Sequence, residues 1–434
     1  MDSVRKGAYL VLRDVEENKA YSNFALMKYI KKAKPSNVPF LRELVYGTIR
    51  QKLYLDWIIG NFTRTPIEKL NISDRILLRL GLYQLLFMDS VPDYAAVSET
   101  VELAKLYSKG RINFVNGLLR QYLRDRDYVE LPPREEDETR YLSIKYSFAP
   151  WVVQMWLKEF GNNGARVENL LAALNRTPRL CIRANTLKTD ADGLAGRLTK
   201  LGFEAERDPE LQNLIYVKGE GLLATNLYKT GLFSVQDKGA QTVVECLDAR
   251  PGETVMDVCA APGGKTVAIA ADMQNLGKVL ATDIYKRKID LIEGEAARLG
   301  VKNITAWSWD ARVTDSEFVD SADKVLVDAP CSGLGTARRK PEVKFKEFDE
   351  EMQALPGLQL DILKASSHYV RPGGTLVYAT CTIAKRENED VVKAFLKKNK
   401  EFELVDKALL LPMTDESDGF FVCKMKREER GFGV

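Results

Sequence analysis

"ETVMDVCAAPGGKTVAIAADM", residues 253–273, decides the fold. An apolar run of strand length meets a glycine-rich turn, and a helix of small apolar residues follows at once. Cys259 to Thr266 have the length of G-x-x-x-x-G-K-[ST], the nucleotide-triphosphate loop, but cysteine stands where the first glycine belongs. Pro262 also removes an amide from the middle of the turn. The next strand, "GKVLATDI" (277–284), ends in Asp283, placed to accept both hydroxyls of a ribose. The G-x-G-x-x-G of NAD proteins is absent. Ribose with a small anionic group, but no phosphate, describes S-adenosylmethionine. Taken alone, such a loop is also compatible with a plain tight βα turn.

Working outward, "NITAWSWD" (303–310), "DKVLVDAPC" (323–331) and "GTLVYATC" (374–381) read as further strands separated by helical stretches. Repeated βα units with buried apolar strands imply a mostly parallel, doubly wound sheet. "DGFFVCKMKRE" (418–428) offers an antiparallel addition. Ligands of such sheets sit at the C-terminal strand ends. Asp310, closing the third strand, is a further cofactor contact on this view, or a surface turn residue.

Upstream the texture differs. Residues 1 to about 127 carry apolar side chains at helical spacing, as in "FLRELVYGTIRQKLYLDWIIGNF" (40–62) and "SDRILLRLGLYQLLFM" (73–88), with Ser73 a candidate N-cap. "YVELPPREEDETR" (128–140) reads as a linker. A small α/β segment follows, from "RLCIRANTL" (179–187) to "GLFSVQD" (231–237).

The chain of 434 residues, 45% hydrophobic and 29% charged, reads as a soluble multidomain protein with no transmembrane run. Its six cysteines form no C-x-x-C pair and it has one histidine, His368, so a reducing, cytoplasmic setting and no metal are expected. The net charge of +3 is uneven: residues 1–135 hold 22 Lys and Arg against 16 Asp and Glu. That basic third suits a polyanion, although an ordinary solvated helical surface has the same look.

Two cysteines follow two apolar strands: Cys331 in "DAPCSG" (328–333) and Cys381 in "YATCT" (378–382). Thiols beside a methyl donor suit one reaction well. C5 of cytosine is a poor nucleophile until a thiolate adds at C6, which makes C5 enamine-like. Only the thiolate attacks, so positive charge should be near, from Lys265 or from Arg338, Arg339 and Lys340 in "ARRKPEVKFKEF" (337–348). Asp328 is placed to bond N3 or the exocyclic amine of the base. The same basic segment also suits a grip on nucleic-acid backbone, or is simply a solvated loop. A Cys–His hydrolase would need His368 as base, which lies away from any strand end. Cys181, Cys246 and Cys423 have ordinary core contexts.

Together "DVCAAPGGKT", "DAPCSGLGTARRKPEVKF" (328–345) and "GGTLVYATCTIAKRENEDVV" (373–392) resemble the signatures of bacterial RNA cytosine-C5 methyltransferases, specifically the 16S rRNA enzymes of the RsmB (Sun/Fmu) type. "NRTPRLCIRANTLKTD" (175–190) and "SVQDKGAQ" (234–241) match the same pattern, and the helical region with "FVNGLLR" (114–120) is similar to the RNA-binding NusB fold. The resemblance implies an all-α NusB-like domain (1–130), a small α/β domain (140–235) and a Rossmann-like class I methyltransferase domain (236–434) with a mostly parallel seven-stranded sheet. It implies that Cys381 is the nucleophile and that Cys331 resolves the covalent adduct. Cys259, Ala260, Ala261, Pro262, Gly263, Gly264, Lys265, Asp283, Asp310 and Asp328 would line the S-adenosylmethionine site, with Lys265 also facing the reaction centre. The expected partner is 16S rRNA, met by a monomer without membrane contact. A tRNA substrate, a non-catalytic RNA-binding assembly factor and a P-loop NTPase are the competing readings.

Overall fold

The computed structural model describes residues 2–429. The chain divides into two compact units, one holding residues up to Asn175 with Ala337–Glu347, the other Arg176–Thr336 with the chain from Phe348 onward.

The first unit is helical. Ser3–Asn18, Ser22–Ala33, Val38–Arg50, Lys52–Asn61, Ile72–Phe87, Asp93–Tyr107 and Ile112–Asp125 enclose a core that includes Leu41, Leu44, Leu55, Leu77, Leu80, Leu103 and Leu119. These residues recur at three- and four-residue intervals, so each helix turns one stripe inward. The long apolar stretch 40–62 forms two helices that meet at Gln51. The expected cap at Ser73 is displaced by two residues. Asn71 accepts from the Asp74 amide at 2.8 Å, and the Ser73 hydroxyl instead meets Tyr9 Oη at 2.9 Å. Glu138–Tyr146, Pro150–Glu159 and Gly164–Asn175 belong to this unit as well, although the sequence reading joins residues 140–175 to the α/β segment.

Ala337–Glu347 is also part of the helical unit, through a buried cation. Lys344 is fully buried, and its ammonium donates to Arg50 O at 2.6 Å, Tyr146 O at 3.0 Å and Asn175 Oδ1 at 2.7 Å. The Phe148 ring lies 4.3 Å away. Burial, then the neighbouring Arg50, pushes the Lys344 ammonium well below the ordinary lysine range, and the three acceptors are what oppose that loss of the proton at this depth. Glu342 accepts from the Ser22 amide and hydroxyl, and Trp151 donates to Lys346 O.

The second unit has two sheets. Strands β1 (Leu180–Ala184), β2 (Glu204–Arg207), β3 (Leu214–Lys218) and β4 (Phe233–Val235) form an antiparallel sheet ordered β2-β3-β1-β4. The large sheet contains β5 (Thr254–Val258), β6 (Lys278–Asp283), β7 (Ile304–Ser308), β8 (Ala322–Asp328), β9 (Val370–Thr380), β10 (Phe402–Leu410) and β11 (Phe420–Arg427), in the order β10-β11-β9-β8-β5-β6-β7. The five strands from β5 to β9 pair in parallel; β11 is antiparallel to both β9 and β10.

Side-chain alternation splits these strands between two cores. Met256, Val258, Val325, Val327, Leu376 and Tyr378 pack on one face, and Val255, Leu326, Val377 and Ala379 on the other. Burial on both faces is why the strands read as continuous apolar runs. The chain proceeds from β5 to β6 and β7 on one side, then crosses to β8 and β9 on the other. The reversal between β5 and β8 opens a crevice at their C-terminal ends. No helix among the described residues is long and apolar enough to cross a membrane.

Candidate active site

The loop after β5 is shaped by close approach. Gly263 has φ +101°, and a Cβ there would lie 3.1 Å from Ile292 Cα, so a side chain would be strained by both backbone and neighbour. The helix Gly264–Asp272 begins directly behind it. Its first turn is already committed to carboxylates. Lys265 Nζ is 2.7 Å from Asp328 Oδ2, across the β5–β8 crevice, and Thr266 Oγ1 donates to the fully buried Asp257 Oδ2 at 2.6 Å. A triphosphate loop would leave this lysine and threonine for phosphate and metal. The P-loop reading therefore lacks its two working side chains.

Charge around the crevice follows from these pairings. Burial pushes Lys265 down, but Asp328, then Cys381 and Asp257, more than reverse it, so the ammonium is held above its ordinary range. Asp257 is pushed up to about 7, chiefly by burial, and its Oδ1 has no hydrogen-bond partner. Asp283, ending β6, accepts from the amides of Ala261 at 3.3 Å and Tyr285 at 3.2 Å, with Lys288 Nζ 3.3 Å away. Asp310 follows β7, half-buried, and is forked by the Arg312 guanidinium, whose hydrogen bonds lower its acid. Cys259 lies under the loop, where burial pushes its thiol up.

The two strand-end cysteines meet. Cys331 Sγ and Cys381 Sγ are 3.2 Å apart, well beyond the ~2.05 Å of a disulfide. The hydrogen bond to Cys381, then burial, holds the Cys331 proton well above the usual thiol range. Gly335 laces this corner: its amide donates to Cys381 O at 3.1 Å, its carbonyl accepts from Gly419 N at 2.9 Å, and a Cβ would come within 1.9 Å of Gly419 O. The Lys265 ammonium also lies 5.4 Å from the Phe420 ring. Cys423 is a core residue pushed up to about 12 by burial.

Other expectations find different places. Of the basic trio after Cys331, Arg338 is buried in the helical unit, Arg339 half-buried and Lys340 exposed. The anchoring of Lys344 draws this segment onto helices, so Lys340 presents the most solvent-facing charge of the three. His368 is exposed beyond the helix Glu350–Ser367, with Nδ1 3.3 Å from Thr314 Oγ1. It precedes β9 whereas Cys381 follows it; eleven strand residues span roughly 35 Å, which excludes a Cys–His pair. Sequence reasoning missed Glu387, Asn388 and Gln359, whose buried side chains surround the cysteine corner. "RENED" was visible as part of a signature, but charged residues after a strand ordinarily read as solvated.

Comparison with known proteins finds relatives across the chain. The model of the 16S rRNA methyltransferase RsmB/F family matches residues 244–426, that of the NusB family residues 2–124, and that of the RsmF/B-like ferredoxin-like domain residues 148–221. The probable ribosomal RNA small subunit methyltransferase B of Bacillus subtilis is 36% identical, over 98% of this chain and 99% of its own. The ribosomal RNA small subunit methyltransferase B of Klebsiella pneumoniae is 31% identical over 95% of each. A solved methyltransferase homologue from Pyrococcus horikoshii, 26% identical, covers 67% of this chain and 99% of its own with a TM-score of 0.59. With a NusB-like helical region, a ferredoxin-like sheet and a Rossmann-like catalytic sheet in one chain, this protein belongs to the RsmB/F family of 16S rRNA methyltransferases.

Proposed function

We propose that this chain transfers a methyl group from S-adenosylmethionine to C5 of a cytosine in 16S rRNA, through a covalent bond between Cys381 and C6 of the base. The observation that carries the reading is the 3.2 Å approach of Cys331 and Cys381 beside the Lys265–Asp328 pair.

The residues at the strand ends suit the donor. Its ribose hydroxyls and ammonium need acceptors, and the rim offers Asp283 and Asp310, with the unpartnered Oδ1 of Asp257 behind the loop. Cys259, Ala260, Ala261, Pro262, Gly263, Gly264 and Lys265 form the backbone wall against it. When bound, S-adenosylmethionine supplies the electrophilic methyl group that C5 accepts.

The chain does the rest. Cys331 keeps its proton and hydrogen-bonds Cys381, which favours negative charge on the Cys381 sulfur. The Lys265 ammonium stabilises that charge. Addition at C6 forms the S–C6 bond and shifts the C5–C6 electron pair onto C5, while the Asp328 carboxylate accepts from the exocyclic amine of the ring. Once Cys381 is bonded to C6 its sulfur no longer carries the charge that held the Cys331 proton, so Cys331 releases that proton to water, and the thiolate left behind takes the C5 proton after methylation. The electron pair left at C5 then re-forms the C5–C6 double bond, expels the Cys381 thiolate and frees the RNA.

Cys381→Ala is expected to abolish methyl transfer to 16S rRNA, and Cys331→Ala to trap covalent protein–RNA complexes on denaturing gels. Undiminished turnover in Cys381→Ala overturns the reading. Bisulfite mapping of RNA from cells lacking the protein identifies the cytosine, and a gap in tRNA alone would move the substrate there.

A further inference from the structure

Two adjacent residues, Glu387 and Asn388, each reach the chain neighbours of one cysteine. The Glu387 carboxylate is 1% exposed and the Asn388 amide fully buried, an unusual depth for both side chains. Glu387 Oε2 accepts from the Ser332 amide at 2.8 Å and from Gln359 Nε2 at 3.0 Å; the same Gln359 nitrogen donates to Pro330 O at 3.0 Å. Pro330 and Ser332 flank Cys331. Asn388 Oδ1 accepts from Thr380 Oγ1 at 2.5 Å, and Asn388 Nδ2 donates to Thr382 O at 3.0 Å. Thr380 and Thr382 flank Cys381. A direct bond of 2.8 Å joins Ser332 Oγ to Thr382 Oγ1, and Tyr378 Oη donates to Glu387 O at 2.6 Å, fixing the turn against β9.

We propose that Glu387 and Asn388 are a positioning pair for methyl transfer, holding the Cys331 and Cys381 backbones in register so that one thiol attacks and the other releases. This rests on the two-cysteine reading above. Glu387 ends the 3-10 turn Lys385–Glu387 and Asn388 joins it directly to the helix Glu389–Lys398, so the two side chains are anchored on one short stretch of backbone. Side chains locked by buried hydrogen bonds are the means by which reacting groups are kept within fractions of an ångström. The Glu387 charge also adds to the causes that keep the Cys331 proton, behind the hydrogen bond to Cys381, burial and the charge of Cys381. Neither residue touches the reacting atoms; both act through the cysteines.

The test uses the full-length protein with 16S rRNA. Both Glu387 bonds go to one oxygen, so Glu387→Gln keeps an acceptor there and is expected to turn over close to wild type. Glu387→Ala frees Ser332 and releases Gln359, the side chain that holds Pro330, and is expected to accumulate covalent protein–RNA complexes, as Cys331→Ala does. Asn388→Ala is expected to lower kcat on the order of 10²-fold without accumulating adduct. In both, affinity for S-adenosylmethionine should stay within about threefold, a change under ~0.7 kcal/mol. Should Glu387→Ala not fold, Gln359→Ala removes the Pro330 tie while leaving the carboxylate. Adduct accumulation there supports the pair, and wild-type release overturns it.

Wild-type turnover in both alanine variants, Glu387→Gln as impaired as Glu387→Ala, or a shared loss of donor binding each overturns the proposal. If the cysteine variants behave as expected while these do not, the pair falls and the two-cysteine mechanism stands. If neither cysteine variant shows its phenotype, both fall together.

Discussion

Lys265 Nζ and Asp328 Oδ2, 63 residues apart in sequence, meet at 2.7 Å across the point where the strand order reverses. One side chain comes from the first turn of the helix Gly264–Asp272 that follows the β5 loop and the other from the last residue of β8, so the pair ties the donor side of the crevice to the cysteine side. Lys265→Met leaves the Asp328 carboxylate without its cation and the Cys381 sulfur without positive charge. Methyl transfer in a single turnover is expected to fall on the order of 10²-fold, the scale of losing one preorganised electrostatic partner. Retained rate in Lys265→Met would remove this lysine from the reaction.

Asp257 makes stability depend on pH. Its carboxyl is raised from 3.8 to about 7 by burial, so between those values the folded state holds a proton that the unfolded state has lost. Stability from this group is complete below about pH 4 and declines as pH rises to 7 and beyond, by a few kcal/mol in all. Asp257→Asn mimics the protonated form. Its melting temperature relative to wild type is expected to be higher at pH 8 than at pH 5. Equal differences at both pH values contradict the assignment.

Lys344 anchors Ala337–Glu347 within the helical unit. Lys344→Met removes the donor shared by Arg50 O, Tyr146 O and Asn175 Oδ1, of which Tyr146 O keeps its bond from Asn175 Nδ2. A loss of about 3 kcal/mol is expected in chemical denaturation, with earlier proteolytic cutting in 337–347. An unchanged midpoint would show that the cage contributes nothing net.

The helix Ser22–Ala33 presents a surface suited to RNA. Tyr21, Phe24 and Met27 are exposed, Phe24 by 66%, and no carboxylate occurs from Asn18 to Arg42, where Lys19, Lys28, Lys31, Lys32, Lys34 and Arg42 stand. Aromatic faces among cations are a platform for unpaired bases. Phe24→Ala with Lys31→Glu is expected to raise KM for 16S rRNA about tenfold or more and leave kcat unchanged. No change in KM excludes this face from substrate binding.

Much of the candidate site was legible because its signals are local. A strand, a glycine-rich turn and a helix occupy 21 consecutive residues, 253–273, and Cys331 and Cys381 each follow an apolar run directly. The antiparallel strand at "FFVCKMKR" was legible for the same reason. The burial of Arg338 was not legible in the sequence, because the segment it belongs to is held through Lys344 by residues nearly 200 and 300 positions away. Glu387 and Asn388 escaped notice because a charged or amide side chain carries no mark of burial in sequence.

By itself the sequence determined the alternating elements, the donor loop and the presence of two strand-end thiols, since periodicity and turn chemistry act over a few residues. Tertiary structure alone decided that the thiols approach to 3.2 Å, that Lys265 meets Asp328, and that residues 337–347 join the helical unit. Those outcomes depend on strand order and on the burial of polar groups that must find distant partners, and both are properties of the packed chain.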